Sequence, residues 1–156
     1  MIEYTLNIGD VATSSQKTKY VCLGLGSCIG LFIQDRLTGI SGGAHIFLPE
    51  DDKGPSDANK YYNVSSAVNE ILFRFKSMGS TLDTLRAKVT GGSNVFRGYS
   101  DIGARNSTSV VSHLIRRKIF VAAFDTGGSY YRSATFDSES GNMTVRIPEI
   151  NRYKIY

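Results

Sequence analysis

Tyr20-Val21-Cys22-Leu23-Gly24-Leu25-Gly26-Ser27-Cys28-Ile29-Gly30-Leu31-Phe32-Ile33 is two short apolar runs joined by a glycine-rich turn. Neither run has the three-to-four spacing of an amphipathic helix, and the reading is strand, turn, strand. That decides the meaning of Gly24-x-Gly26-x-x-x-Gly30: a dinucleotide-binding loop opens a helix, and here a strand follows. Working outward, residues 2–8, 40–48, 85–90, 119–124, 131–136 and 143–147 are further strand-like runs bounded by Gly, Asp or Ser clusters. Two segments break the pattern. Tyr61, Val64, Val68, Ile71, Leu72 and Phe75 recur at helical spacing, with Gly79 as a stop after Met78. Residues 102–118 form a second helix, with Ser100 or Asp101 as N-cap and Val110, Val111, Leu114 and Ile115 as its apolar stripe. Residues 49–59 read as a polar loop. Many strands and two helices predict an α+β layered domain.

The chain has 156 residues, 41% hydrophobic and 21% charged, which suits one globular domain over 1–156. No apolar run approaches the roughly 20 residues of a membrane span, so no membrane insertion is expected. The first residues, Met1-Ile2-Glu3-Tyr4, carry no basic segment followed by an apolar one, and two cysteines are too few for a disulfide framework. A cytoplasmic address follows as the expectation. Residues 86–118 hold seven basic side chains against one acid, Asp101, which suggests an acidic partner. Arg116-Arg117-Lys118 closes a helix, where the macrodipole already favours cations, so nucleic acid is not expected.

Cys28 stands at the end of the glycine turn, where surrounding backbone N–H groups can lower a thiol pKa and hold an oxyanion. His45 follows 17 residues later, room for a strand, a turn and a strand back. If those strands pair antiparallel, the two side chains meet at one end of a hairpin as a thiolate–imidazolium pair, the nucleophile of acyl transfer. His113 reads as a surface residue on the flank of the second helix. The two Cys and two His match no zinc spacing, and Asp125-Thr126-Gly127 lacks the paired aspartate and downstream apolar segment of an aspartic protease. No cofactor is expected.

Taken together, the motifs resemble the CheD family of chemoreceptor glutamine deamidases. The resemblance rests on Leu23-Gly24-Leu25-Gly26-Ser27-Cys28, on Gly43-Ala44-His45 with Leu48-Pro49, and on Lys60-Tyr61. It continues through Ala87-Lys88-Val89-Thr90-Gly91-Gly92-Ser93-Asn94-Val95-Phe96, Ile102-Gly103-Ala104-Arg105-Asn106, and Asp125-Thr126-Gly127-Gly128 with Arg132-Ser133. These pieces stand in the family's order from about residue 8 to 147. The resemblance implies a layered α/β sandwich with mixed, largely antiparallel sheets and two main helices. It implies hydrolysis of glutamine side chains on methyl-accepting chemoreceptors, with Cys28 as nucleophile and His45 as general base. Gly26, Ser27, Gly91 and Gly92 fall on the loops that would surround the oxyanion and substrate. The family usually has a threonine six residues before the cysteine, orienting the histidine; here that position is Cys22. The resemblance also implies binding to a CheC-type phosphatase. Phe96, in a polar glycine-flanked segment, is a candidate partner contact. The alternative reading is a binding module that chiefly regulates such a phosphatase.

Overall fold

The computed structural model describes residues 1–54, 59–95 and 101–156. One five-stranded sheet comprises β1 (Ile2–Thr5), β3 (Thr18–Leu25), β8 (Arg132–Asp137), β9 (Asn142–Ile147) and β10 (Arg152–Ile155), in the order β1-β3-β8-β9-β10. The other has the order β2-β5-β4-β6-β7, built from β2 (Val11–Ser14), β4 (Ile29–Asp35), β5 (Ser41–Ile46), β6 (Leu85–Gly91) and β7 (Phe120–Thr126). Among the ten described strands, β1–β3 and β6–β7 are the pairs that run parallel. Helices α1 (Val64–Ser77) and α2 (Ile102–Arg116) cover the second sheet. The α+β class read from the sequence holds, with two helices and two mixed, mainly antiparallel sheets.

The period of two in a strand sorts β4 between two cores. Leu31 and Ile33 pack with Val68, Ile71 and Phe75 of α1 and Leu114 of α2. Phe32 faces the other sheet, its ring stacked on Phe136 with centroids 5.5 Å apart. The result is three layers, with the second sheet in the middle. A middle strand is apolar on both faces, which is why residues 28–34 read as a continuous run rather than an alternating one.

Several boundaries differ from the sequence expectation. Strand β1 stops at Thr5, because the chain then turns through Gly9 (φ +86°) to bring residues 6–10 against β5. Helix α1 begins at Val64, where the Asn63 side chain accepts the Ser66 N–H at 2.8 Å, so Tyr61 packs on the core from outside the helix. Of the two N-cap candidates for α2, Ser100 lies outside the described residues, and Asp101 takes the position without a side-chain cap bond. His113 corrects the surface reading: it is buried, with Nδ1 3.0 Å from the Glu50 carboxylate. Among the described residues no helix is long and apolar enough to cross a membrane.

Candidate active site

The turn that ends at Cys28 is fixed through its carbonyls. Gly26 C=O accepts both the N–H and the hydroxyl of Ser93, at 2.8 and 2.9 Å. Ser27 C=O accepts the Asn106 side-chain amide at 2.9 Å, and Cys28 C=O accepts the Gly92 N–H at 2.9 Å. In a planar trans peptide the N–H points opposite to the C=O before it. Anchoring the carbonyls of Gly26 and Ser27 therefore turns the N–H groups of Ser27 and Cys28 away from Ser93 and Asn106. Neither N–H donates to an acceptor among the described residues.

Strands β4 and β5 pair antiparallel, with Gly30 opposite His45 and Ile29 opposite Ile46. This register puts His45 at the same end of the hairpin as Cys28. Both residues line one cavity of about 470 Å³, together with Leu6, Asn7 and Gly24. Cys28 also lines an adjoining recess of about 360 Å³, whose walls include Gly26, Ser27, Phe47 and Tyr131. Cys28 is 8% and His45 5% exposed.

The His45 ring is held by the backbone. Its Nδ1 lies 2.9 Å from the Leu6 carbonyl, which can only accept, so Nδ1 carries the proton. The neutral ring then presents a free lone pair at Nε2, and Nε2 is buried without a hydrogen-bond partner among the described residues. Burial pushes the His45 pKa below the usual 6.5, with the Leu6 carbonyl and Asp10 pulling it partway back. Burial also pushes the Cys28 thiol up to about 11. Both shifts favour the neutral thiol and neutral imidazole over the thiolate–imidazolium pair that the turn suggests from sequence.

Cys22 sits behind this pair, fully buried, with its Sγ 3.5 Å from where a Cβ on Gly30 would stand. Its thiol is pushed up by burial and then by Cys28, and both cysteines are free thiols. Gly91 and Gly92 also lie behind the turn and buttress it. A Cβ on Gly91 would stand 2.2 Å from the Cys28 carbonyl oxygen, and one on Gly92 would meet Ser107 Oγ at 2.0 Å. Phe96 lies outside the described residues.

The opposite wall depends on a buried ion pair. Arg132 donates to the Asp125 carboxylate at 2.6 Å, both side chains 3% exposed, and also to the carbonyls of Asp125 and Gly127. The loop so held bonds to the 91–94 segment, Gly127 N–H to Gly91 C=O at 3.0 Å and Asn94 N–H to Gly128 C=O at 2.9 Å. Tyr131 then lies against the turn, 2.9 Å from the position of a Cβ on Gly26. Asp125 thus serves the architecture of the loop.

Cys28, His45, Gly26 and Ser27 reach the cavity walls, while Cys22, Gly91 and Gly92 support them from behind. Sequence reasoning missed the Leu6 carbonyl, Ser93 and Asn106 as positioning groups. Asn106 also donates to Phe47 C=O at 3.1 Å and so ties α2 to the residues after β5. Among the described residues the basic segment does not form one patch: Arg105 pairs with Asp52, Arg116 with Glu50, and Lys88 lies between the sheets.

The family model described as CheD chemotactic sensory transduction matches residues 39–147. A Thermotoga maritima protein named chemoreceptor glutamine deamidase CheD is 34% identical over 142 residues, covering 90% of this chain and 89% of that one. A Clostridium kluyveri protein named probable chemoreceptor glutamine deamidase CheD is 30% identical over 149 residues, 92% of each chain. Among solved structures, a Neisseria meningitidis protein of family DUF152 superposes with a TM-score of 0.39 at 12% identity, over 77% of this chain and 52% of that one, too slight a likeness to carry an argument.

Proposed function

The chain belongs to the CheD family, and from that premise we propose that it is a protein-glutamine deamidase acting on the cytoplasmic helices of methyl-accepting chemoreceptors. The observation that carries this reading is the shared cavity of Cys28 and His45, with the lone pair of His45 Nε2 unclaimed. In the proposed reaction Nε2 takes the Cys28 proton as Sγ attacks the carboxamide carbon. The N–H groups of Ser27 and Cys28 hold the developing oxyanion. His45 then gives its proton to the departing ammonia and removes one from the water that opens the thioester, leaving glutamate and the free thiol. The chemistry asks for no cofactor.

The ring is oriented in this scheme by the Leu6 carbonyl, which stabilises the imidazolium formed on attack. Cys22, in the position of the family threonine, fills space beneath the hairpin and contributes packing. The test is incubation with receptor cytoplasmic fragments and peptide mass spectrometry of amide-to-acid conversion. Conversion is expected in the native protein and in Cys22→Thr, and none in Cys28→Ala. Undiminished conversion by Cys28→Ala overturns the proposal.

A second reading has its own observation. Ile8, Leu23, Phe47 and Tyr131 leave apolar surface exposed around the cavity mouth, which suits the apolar face of a protein helix. On this reading the chain also binds a CheC-type phosphatase there; Phe96, which lies outside the described residues, is a separate candidate contact. A pull-down that survives Cys28→Ala and fails with Phe96→Glu supports it; equal capture of both variants removes Phe96 from the interface.

A further inference from the structure

Strand β4 leads away from Cys28, and at ~3.3 Å per residue its Gln34 lies roughly 17 Å from Ile29. At that far end the two sheets part around a separate cavity of about 340 Å³. Arg36, Arg86 and Lys88 line it, with Ser138 and Asn142 from the β8–β9 turn. Arg86 and Lys88 stand two apart on β6 and share a face, because Ala87 and Val89 fill the opposite, helix-covered core.

None of the three cations has a side-chain carboxylate within ion-pair reach among the described residues. Lys88 donates to the Gly141 carbonyl at 2.6 Å and to the main-chain oxygen of Tyr156, the last residue, at 2.8 Å. The Arg86 guanidinium lies over the Phe120 ring, 5.4 Å from its centroid. Two carboxylates do line the cavity, and both are committed. Asp35 accepts from the hydroxyls of Ser80 and Thr84 at 2.6 and 2.5 Å and from Leu37 N–H at 2.9 Å. Glu139 pairs with Lys17. The crowding has a cost: the Lys88 pKa is pushed down, first by burial and then by the neighbouring Arg86 charge. An anion placed among the three would relieve that repulsion.

We propose that this cavity is an anion site, of the chemistry that takes the phosphate group of a small molecule. Two guanidinium forks offer paired donors matched to phosphate oxygens, with Lys88 as a point charge and the Ser138 hydroxyl beside them. The volume leaves room for a short ester carried on that phosphate. Because the site stands at the end of the sandwich away from Cys28, it is independent of the deamidase reading.

The experiment is isothermal titration of the full chain with inorganic phosphate and, separately, glycerol phosphate, at ionic strength held constant with chloride. Saturable binding of either is expected, weakened at least tenfold in Arg86→Gln, with the rate of Cys28 alkylation unchanged. Binding of phosphate itself assigns a free anion, and binding of the ester alone assigns an esterified one. Arg36→Gln, at an exposed turn residue, repeats the test should Arg86→Gln fail to melt cooperatively in chloride. No saturable binding by the native chain overturns the proposal, as does native affinity in the folded variants.

Discussion

The α-carbon of Gly91 and the carbonyl of Cys28 are so close that a methyl group on the first would stand 2.2 Å from the oxygen of the second. Gly91 is also at φ +106°, outside the range that side-chain-bearing residues adopt readily. Gly91→Ala therefore has no local escape and must displace the cysteine turn. The expected result is a loss of at least ~2 kcal/mol of stability in urea titration, together with loss of deamidation. A variant with native stability would mean that the turn is looser than its hydrogen bonds indicate.

The titration of the site has a definite sign. His45 is neutral to below its usual 6.5, and Cys28 holds its proton to about 11. A reaction that begins by transferring the thiol proton to Nε2 runs at full rate wherever both groups are neutral. The rate should be flat from about pH 7 to 9 and fall on an acid limb centred below 6.5. Alkylation of Cys28 by iodoacetamide should rise about tenfold per pH unit through that plateau. An alkylation rate that levels off below pH 8 would reveal a preformed thiolate instead.

The pair Asp125–Arg132 is buried and links the 127–131 loop to β7 and β8. Arg132→Met leaves Asp125 with Arg152 at 3.3 Å and the Tyr156 hydroxyl as charge and hydrogen-bond partners. It also frees the Gly127 carbonyl. Such truncations cost about 3–5 kcal/mol. Asp125→Leu combined with Arg132→Met should recover part of that loss, and urea melts of the three variants give the coupling directly.

Asp35 offers an acid-stability prediction at the other end of the molecule. Burial alone would raise its pKa, but hydrogen bonds from Ser80, Thr84, Leu37 and Thr38 outweigh burial and hold it at about 2. A lowered folded-state pKa gives stability that is complete above the unfolded value of 3.8 and is lost as pH falls toward 2. Asp35→Asn should cost roughly 2 kcal/mol at neutral pH. The gap from the native protein should close as both are acidified through that window.

The strand pair that carries the site was legible because β4 is a continuous apolar run followed by a turn, and the seventeen residues from Cys28 to His45 span one return. Other elements were not. Strand β2 is Val-Ala-Thr-Ser, too short and small to stand out, and β10 is Arg-Tyr-Lys-Ile at a sheet edge, exposed throughout. The group that fixes the His45 tautomer is a main-chain carbonyl at Leu6, and no side-chain pattern announces a carbonyl. The thiol shift ran opposite to the expectation for a glycine turn, because Cys28 is buried with the core between the sheets, and burial is a property of the folded chain.

The dependence of the cavity on Arg132 also sets when the site can exist. Its floor, from Leu6 to His45, is synthesised early, but the ion pair that seats Tyr131 against Gly26 joins segments from the last third of the chain. Contacts so distant in sequence form only after their loops close. On the ribosome, a nascent chain carries its cysteine and histidine without that wall until Asp125 and Arg132 have both been made. Competence arrives only with the β7–β8 loop.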